Sequence, residues 1–298
     1  MIKLENLKDM NDEDRELIVL EALLRRISLV NMPFVLKGSL LTRQYLNNPD
    51  TRHVEDLDFL YMDKIKDVEH AHETFTNWMI QVTETDLGDG ITFRSFRENA
   101  FWRCIDYAMS DDFPTIKTDL AYFFTDEPRE VNHYNEIYLD VSFNLEMAVD
   151  PVSIEYRPVL GDTFSVPYSV PLSIQIAWKL HQTIVRPRFK DLYDLKYLLS
   201  HPSYDERALN ETLQALVNEC SIDQSITHIA IKKILVDDLG GLYHSLSNDY
   251  TLKKYAGSIT QEVYFMKLVA DLRKIMNQVG INEKAYVNLP RPTHRIHQ

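Results

Sequence analysis

Residues 33–58 contain Pro33-Phe34-Val35-Leu36-Lys37-Gly38-Ser39-Leu40-Leu41, a polar loop at Asn47-Asn48-Pro49-Asp50, and then Val54-Glu55-Asp56-Leu57-Asp58. Phe34 to Leu36 reads as a short strand and Leu40 to Leu46 as the start of a helix, with Lys37-Gly38-Ser39 at the junction. Val54 to Met62 reads as a second strand. Residues two apart in a strand share a face, so Asp56 and Asp58 stand side by side with Leu57 turned the other way. Two carboxylates that close repel each other. A divalent cation removes that cost, and Mg2+ accepts a few carboxylates while keeping positions for water and substrate phosphates. The Gly-Ser turn offers backbone N–H groups, a hydroxyl and a helix N-terminus, all suited to phosphate oxygens. The glycine allows close backbone approach. Together these residues predict a cradle for a metal-bound nucleoside triphosphate. A DxD pair alone is often only a solvated strand edge, and Gly-Ser before a helix only a cap. Their succession, strand–GS–helix–loop–strand DxD, is much rarer by chance.

The surrounding chain narrows the choice. It has 298 residues, 45 acidic against 32 basic, for a net charge of −13. The hydrophobic content of 45 % is that of a folded globular protein, which excludes disorder over most of the length. No run approaches 18 apolar residues, so no membrane span is expected. The acidic start lacks the apolar core of a signal peptide. Cys104 and Cys220, the only cysteines, support no disulfide framework or cysteine-based zinc site, and a reducing cytoplasm is the expected setting. The acidity argues against a generic basic nucleic-acid coat while leaving room for a local basic groove. His181, His228 and the other histidines show no HExxH spacing, and neither GxSxG nor a Walker GxxxxGKS/T motif occurs.

The expected organisation is α+β: an N-terminal nucleotidyltransferase-type domain with a mixed sheet over residues 1–165, then a C-terminal helical bundle over 166–298. A first helix is predicted over about 12–30, where Leu17, Leu20, Leu24 and Ile27 recur at helical spacing and Asn11 or Asp12 can cap. Residues 64–84 read as helix. Further strands are predicted at Ile91–Phe96 with Trp102–Tyr107, at Thr115–Phe124 and at Glu136–Phe143, punctuated by Asp and Gly clusters that include Asp111 and Asp112. Pro151 to Pro171, with Pro158 and Pro167 between, reads as a connecting segment. Helices follow at about 173–185, 191–200, 204–219, 226–246 and 258–278, and the tail from Asn288 is expected to be loose.

A two-metal reaction needs a third carboxylate on a neighbouring strand. Asp140, in Glu136–Asn144, and Asp119, in Thr115–Phe123, both alternate as strand residues do. Lys179 lies mid-helix beside the apolar stripe Ile176, Leu180 and Ile184, where a lysine either snorkels or reaches a polar site. Asp191 and Asp194 share a helix face. Arg186, Arg188 and Lys190 form the densest basic cluster in the chain.

The first segment resembles the signature of the polymerase-beta-like nucleotidyltransferases. More closely, it resembles the AbiEii/AbiGii abortive-infection toxin family, whose pattern hKGG-x-L…R-x-S-x-D-h-D is matched by Lys37, Gly38, Leu41, Arg52, Asp56 and Asp58. Ser39 stands where that family often has a second Gly, and Val54 where it often has Ser. A second segment, Ile174–Leu199, is similar to the family's AEKL…R…KDLYDL, through Lys179, Arg186, Lys190, Asp191, Tyr193, Asp194 and Leu195. Trp178 replaces the usual Glu. The resemblance spans about residues 30–200.

It implies a Mg2+-dependent nucleotidyltransferase (Mn2+ serving as well), with an active site in a cleft between the two domains. The reaction moves a nucleoside monophosphate from an NTP to a hydroxyl and releases pyrophosphate. It implies Asp56, Asp58 and a third acid as metal ligands, and it favours Asp140, 39 residues before Lys179, over Asp119, 60 before it. Asp140 is third ligand or base. Lys37, Gly38, Ser39 and Lys179 then hold the triphosphate, with Asp191 or Asp194 orienting Lys179 or an arginine. It also implies a toxin of a toxin–antitoxin, phage-defence pair, with a cognate antitoxin and tRNA or another RNA as acceptor. RNA binding would rest on a stripe such as Arg186, Arg188, Lys190, Lys253 and Lys254. Two alternatives stay open: a nucleotidyltransferase acting on a protein or small molecule, and a catalytically silent nucleotide-binding protein. The full acid set argues against the second.

Overall fold

The structure, a computed structural model, describes residues 10–49, 52–105, 114–125, 135–223 and 225–293. The chain divides into two compact units. One comprises Met1–Glu146 and Pro151–Val170, the other Met147–Asp150 and Pro171–Gln298.

The first unit is built on a mixed sheet of eight strands among the described residues. In chain order its elements are α1 (Asp12–Ile27), β1 (Phe34–Lys37), α2 (Gly38–Arg43), β2 (Asp56–Tyr61), α3 (Val68–Thr83), β3 (Ile91–Phe93), β4 (Arg103–Cys104), β5 (Thr115–Phe124), β6 (Asn135–Phe143), β7 (Val152–Tyr156) and β8 (Phe164–Ser169). The sheet order is β3-β5-β6-β2-β1-β8-β7, with β4 paired to β5. The central β2 runs parallel to β6 and antiparallel to β1.

Alternation sorts the side chains. Leu57, Phe59, Leu139, Val141 and Phe143 point to the core face, where Phe34 stacks on Trp78 of α3 at 3.6 Å and Phe75 meets Phe143 edge-on at 5.8 Å. Such aromatic pairs add about 0.5–1.5 kcal/mol each beyond the area they bury. The opposite face carries Asp56, Asp58 and Asp140, with buried Val35 and Leu60 farther along it.

Helix α1 starts as expected: the Asn11 side chain accepts the Asp14 N–H at 2.9 Å, with acids in the first turn and Arg25 and Arg26 in the last. It stops at Ile27, short of the predicted residue 30. Leu29 N–H and Val30 N–H bond three residues back, tightening the chain into turns, and Ser28 Oγ returns to the Leu24 carbonyl. Arg26 is buried and grips Asp89 through two bonds of 2.7 Å, fastening the loop before β3 to α1. The strand predicted over Trp102–Tyr107 is only Arg103–Cys104 among the described residues. Asp111, Asp112 and the end of the tail lie outside them.

The largest correction concerns Pro151 to Pro171. It is not a bare connection but the hairpin β7–β8, and β8 joins the sheet parallel to β1. Val152 pairs with Ser169 and Ile154 with Val166, so β8 carries an extra residue there. Pro167 sits in that irregularity, where a missing N–H costs the ladder nothing.

In the second unit α4 (Leu172–Val185) packs on α5 (Phe189–Leu198) and α6 (Glu206–Ile222). α7 (His228–Leu235), a 3-10 turn (Leu239–Leu242), α8 (Tyr243–Leu246), α9 (Tyr250–Ala256), α10 (Gln261–Gln278) and α11 (Glu283–Asn288) follow. The single helix expected over 226–246 is therefore broken. Arg273 of α10 donates to the carbonyls of Ile234, Leu235 and Asp237, satisfying the open end of α7. The Asp238 side chain then caps Gly240 N–H, and Gly240-Gly241 disfavours helix continuation.

Candidate functional site

One row of paired residues crosses four adjacent strands of the first unit. Lys37 of β1 pairs with Asp58 of β2, Asp58 with Asp140 of β6, and Asp140 with Lys117 of β5. Asp56, two residues before Asp58, completes an acidic group. One oxygen from each of Asp56, Asp58 and Asp140 lies within 4.8 Å of the others. Asp119, the other acid considered for this role, pairs instead with Tyr138, and its Oδ1 takes the Arg103 guanidinium at 2.8 Å. Among the described residues no other group of three His, Cys, Asp or Glu side chains meets the same spacing.

The electrostatics match that crowding. Lys37 Nζ stands 3.5 Å from Asp58 Oδ1, and Lys117 Nζ 3.4 Å from Asp140 Oδ1. Burial, and next the charge of Asp58, push the Asp140 carboxyl up to about 6, with Lys117 and Lys37 pulling the other way. Asp140 Oδ1 is buried without a hydrogen bond. A buried carboxylate oxygen left in that state, beside two more carboxylates, fits a divalent cation.

Gly38 has φ +74° and lies against this group. A Cβ built there would stand 2.0 Å from Asp58 Oδ2, so only glycine lets the turn approach the carboxylate. Ser39 Oγ is also buried without a hydrogen bond, and Thr42 Oγ1 closes the turn on the Gly38 carbonyl at 2.9 Å. The loop back to β2 is held by buried Arg43, which donates to the carbonyls of Pro49 and Arg52. Arg52, a position matched in the family pattern, is itself buried in that loop and donates to the His53 carbonyl.

The second unit holds the other motif. Lys179 Nζ donates to Asp194 Oδ2 at 2.7 Å and to Asp191 Oδ1 at 3.3 Å. Arg188 Nε donates to Asp191 Oδ2 at 2.6 Å. Both acids are fully buried. Burial works to raise Asp191, but Lys179 and Arg188 outweigh it and hold the carboxyl below its usual range. Asp191 and Asp194 thus bond cations of their own unit. Trp178, which stands in the place of the family's usual Glu, donates its indole N–H to Glu219 of α6 at 2.9 Å. Arg186 follows α4, Lys190 lies in the first turn of α5, and Lys253 and Lys254 lie in the last turn of α9.

The sequence reading did not single out Lys117. Its place beside Asp140 is created by the β5–β6 register. The sequence signal was its alternation with Asp119, two residues on, which sets both on one face.

A family model described as nucleotidyl transferase AbiEii toxin, type IV TA system, matches residues 22–241. No curated protein matches the sequence. Among solved structures, MenT4, nucleotidyltransferase toxin Rv2826c from Mycobacterium tuberculosis, is similar with a TM-score of 0.51 at 16 % identity, over 94 % of this chain and 95 % of that one. JHP933 from Helicobacter pylori has a TM-score of 0.47 at 15 % identity, over 91 % and 93 %.

Proposed function

The chain belongs to the AbiEii nucleotidyltransferase toxin family, and on that premise we propose that it moves a nucleoside monophosphate from an NTP to a hydroxyl of tRNA. The observation that carries the reading is the group of Asp56, Asp58 and Asp140 with Gly38 pressed against it. In this reading the three carboxylates hold Mg2+, or Mn2+ in its place. When bound, the divalent cation neutralises triphosphate charge and favours ionisation of the attacking hydroxyl.

The residues of the chain do the rest. Asp140 takes the proton of the acceptor hydroxyl or acts as third metal ligand, a role supported by its place opposite Asp58 on the neighbouring strand. Gly38 N–H and Ser39 Oγ meet phosphate oxygens, a role supported by the unpartnered Ser39 hydroxyl. Lys37 balances charge beside Asp58. Lys179 contacts the β- or γ-phosphate, and Asp191 and Asp194 orient it. The acceptor oxygen forms a bond to the α-phosphorus, the bond from that phosphorus to the bridging oxygen breaks, and pyrophosphate leaves.

A family of type IV toxin–antitoxin systems implies an antitoxin partner. We assign the pair to phage defence in the cytoplasm. The first unit is the nucleotidyltransferase domain in this reading.

The test is incubation with Mg2+, each α-labelled NTP in turn and total tRNA, beside Asp58→Ala. Label in a tRNA-sized band, absent with Asp58→Ala, is the expected result. Label on protein, or pyrophosphate release with no labelled RNA, would replace tRNA with a protein or small-molecule acceptor. Neither label nor pyrophosphate would leave a silent nucleotide-binding fold.

A further inference from the structure

We propose that Lys117 is a built-in counter-ion of Asp140 that competes with the divalent cation for the acidic group and so sets the metal concentration at which the site loads. This rests on the reading of Asp56, Asp58 and Asp140 as a metal site. The argument starts from the row Lys37–Asp58–Asp140–Lys117 across β1, β2, β6 and β5. Its outer cations neutralise its inner anions. Without them, two carboxylates directly opposite on parallel strands would repel each other, and each would be pressed to take up a proton. The row therefore stands assembled before any metal arrives.

The two outer lysines differ from the paired lysine of the second unit in how firmly they are held. Lys179 sits 2.7 Å from a fully buried carboxylate in hydrogen-bonding geometry. Lys117 Nζ stands 3.4 Å from Asp140 Oδ1, near enough for an ion pair, while that oxygen accepts no hydrogen bond. Lys117 is also partly exposed, and in the same position its ammonium lies 4.6 Å over the Tyr138 ring, a contact that does not depend on Asp140. A cation held loosely gives way to a divalent ion at the same oxygen. The displacement has a cost, and that cost lowers the affinity of the site for metal. Lys117 acts through Asp140 and is a positioning residue; the proposal gives it no contact with the reacting atoms.

Mn2+ binding to the nucleotide-free protein, read by the loss of free-ion electron paramagnetic resonance signal, tests this without any turnover. Lys117→Met and Lys117→Gln are expected to bind Mn2+ about tenfold more tightly than the unmodified protein. Lys117→Arg keeps the charge and is expected to leave the affinity unchanged. So is Lys66→Met, which removes the same charge at an exposed position outside the row. In an Asp140→Asn background Lys117→Met is expected to add nothing, because its partner is gone.

Equal or weaker binding in folded Lys117→Met and Lys117→Gln would overturn the proposal. So would tightening that persists with Asp140→Asn or appears with Lys66→Met, since the lysine would then act only as bulk charge. Absence of Mn2+ binding by the unmodified protein would overturn both this proposal and the metal-site reading beneath it. Binding that Asp58→Ala abolishes but Lys117→Met leaves unchanged would sink this proposal alone.

Discussion

A methyl group on Gly38 would stand 2.0 Å from Asp58 Oδ2, in a turn whose φ of +74° already disfavours any side chain. Gly38→Ala must therefore push Asp58 away or twist the turn. Displacement of a catalytic group by about 1 Å costs roughly 100-fold in rate. The left-handed backbone adds about 1–2 kcal/mol. The expected result is a folded protein, melting only a few degrees lower, that has lost about 100-fold or more in nucleotide transfer. Asp58→Asn and Asp140→Asn keep the shape and remove the charge, so both are expected to abolish transfer while folding normally, and Asp140→Asn, which keeps Asp56 and Asp58, to weaken Mn2+ binding without abolishing it. This part of the site was legible in the sequence because its members are close in the chain: Gly38-Ser39 and Asp56-x-Asp58 are each local patterns whose geometry follows from strand alternation and turn chemistry. Strand alternation alone does not choose between Asp119 and Asp140, and only the family resemblance favours Asp140, since pairing between distant strands is not written in either segment alone.

Proline reads as a break in a sequence, which hides the hairpin β7–β8. In fact Pro167 occupies a position where the ladder is already irregular, and the flanking Val-Ser-Ile-Glu-Tyr run alternates as a strand does. The same hairpin supplies the partners of a buried acid in α1. Glu21 accepts the Tyr156 hydroxyl at 3.0 Å and the Val159 N–H at 2.8 Å, yet burial outweighs both and pushes its carboxyl up to about 7. An unfolded glutamate titrates near 4.5. As pH rises through the window between about 4.5 and 7, the unfolded chain gives up this proton before the folded one, so Glu21 makes stability fall there and level off above. Glu21→Gln is expected to flatten that part of a plot of melting temperature against pH, and an unchanged slope would contradict the account of Glu21. The Arg26–Asp89 pair predicts a larger effect. Asp89→Ala leaves a buried guanidinium without its carboxylate and is expected to cost about 3–5 kcal/mol, read by denaturant unfolding. The long strands and amphipathic helices were readable from periodicity. The break after α7 was not, because it depends on Arg273 reaching carbonyls 36 to 39 residues earlier in the chain.

A net charge of −13 frames how the chain meets an anionic acceptor. The cations considered for that contact are Arg186, Lys190, Lys253 and Lys254, beside Arg188, which is bonded to Asp191. Four phosphate contacts give a slope of log affinity against log salt no steeper than about −4, and a shallow slope in a filter-binding titration with tRNA is the expected outcome. Family membership makes the chain a nucleotidyltransferase, and the acidic row with its glycine turn is where its own residues make that chemistry credible. The most direct test uses one NTP in two forms, labelled at the α- or the γ-phosphate, with Mg2+, total tRNA and either the unmodified protein or Asp140→Asn. The account predicts that α-label moves to the acceptor, that γ-label leaves as pyrophosphate, and that Asp140→Asn does neither. γ-Label on the acceptor, or α-label transfer undiminished by Asp140→Asn, would contradict it.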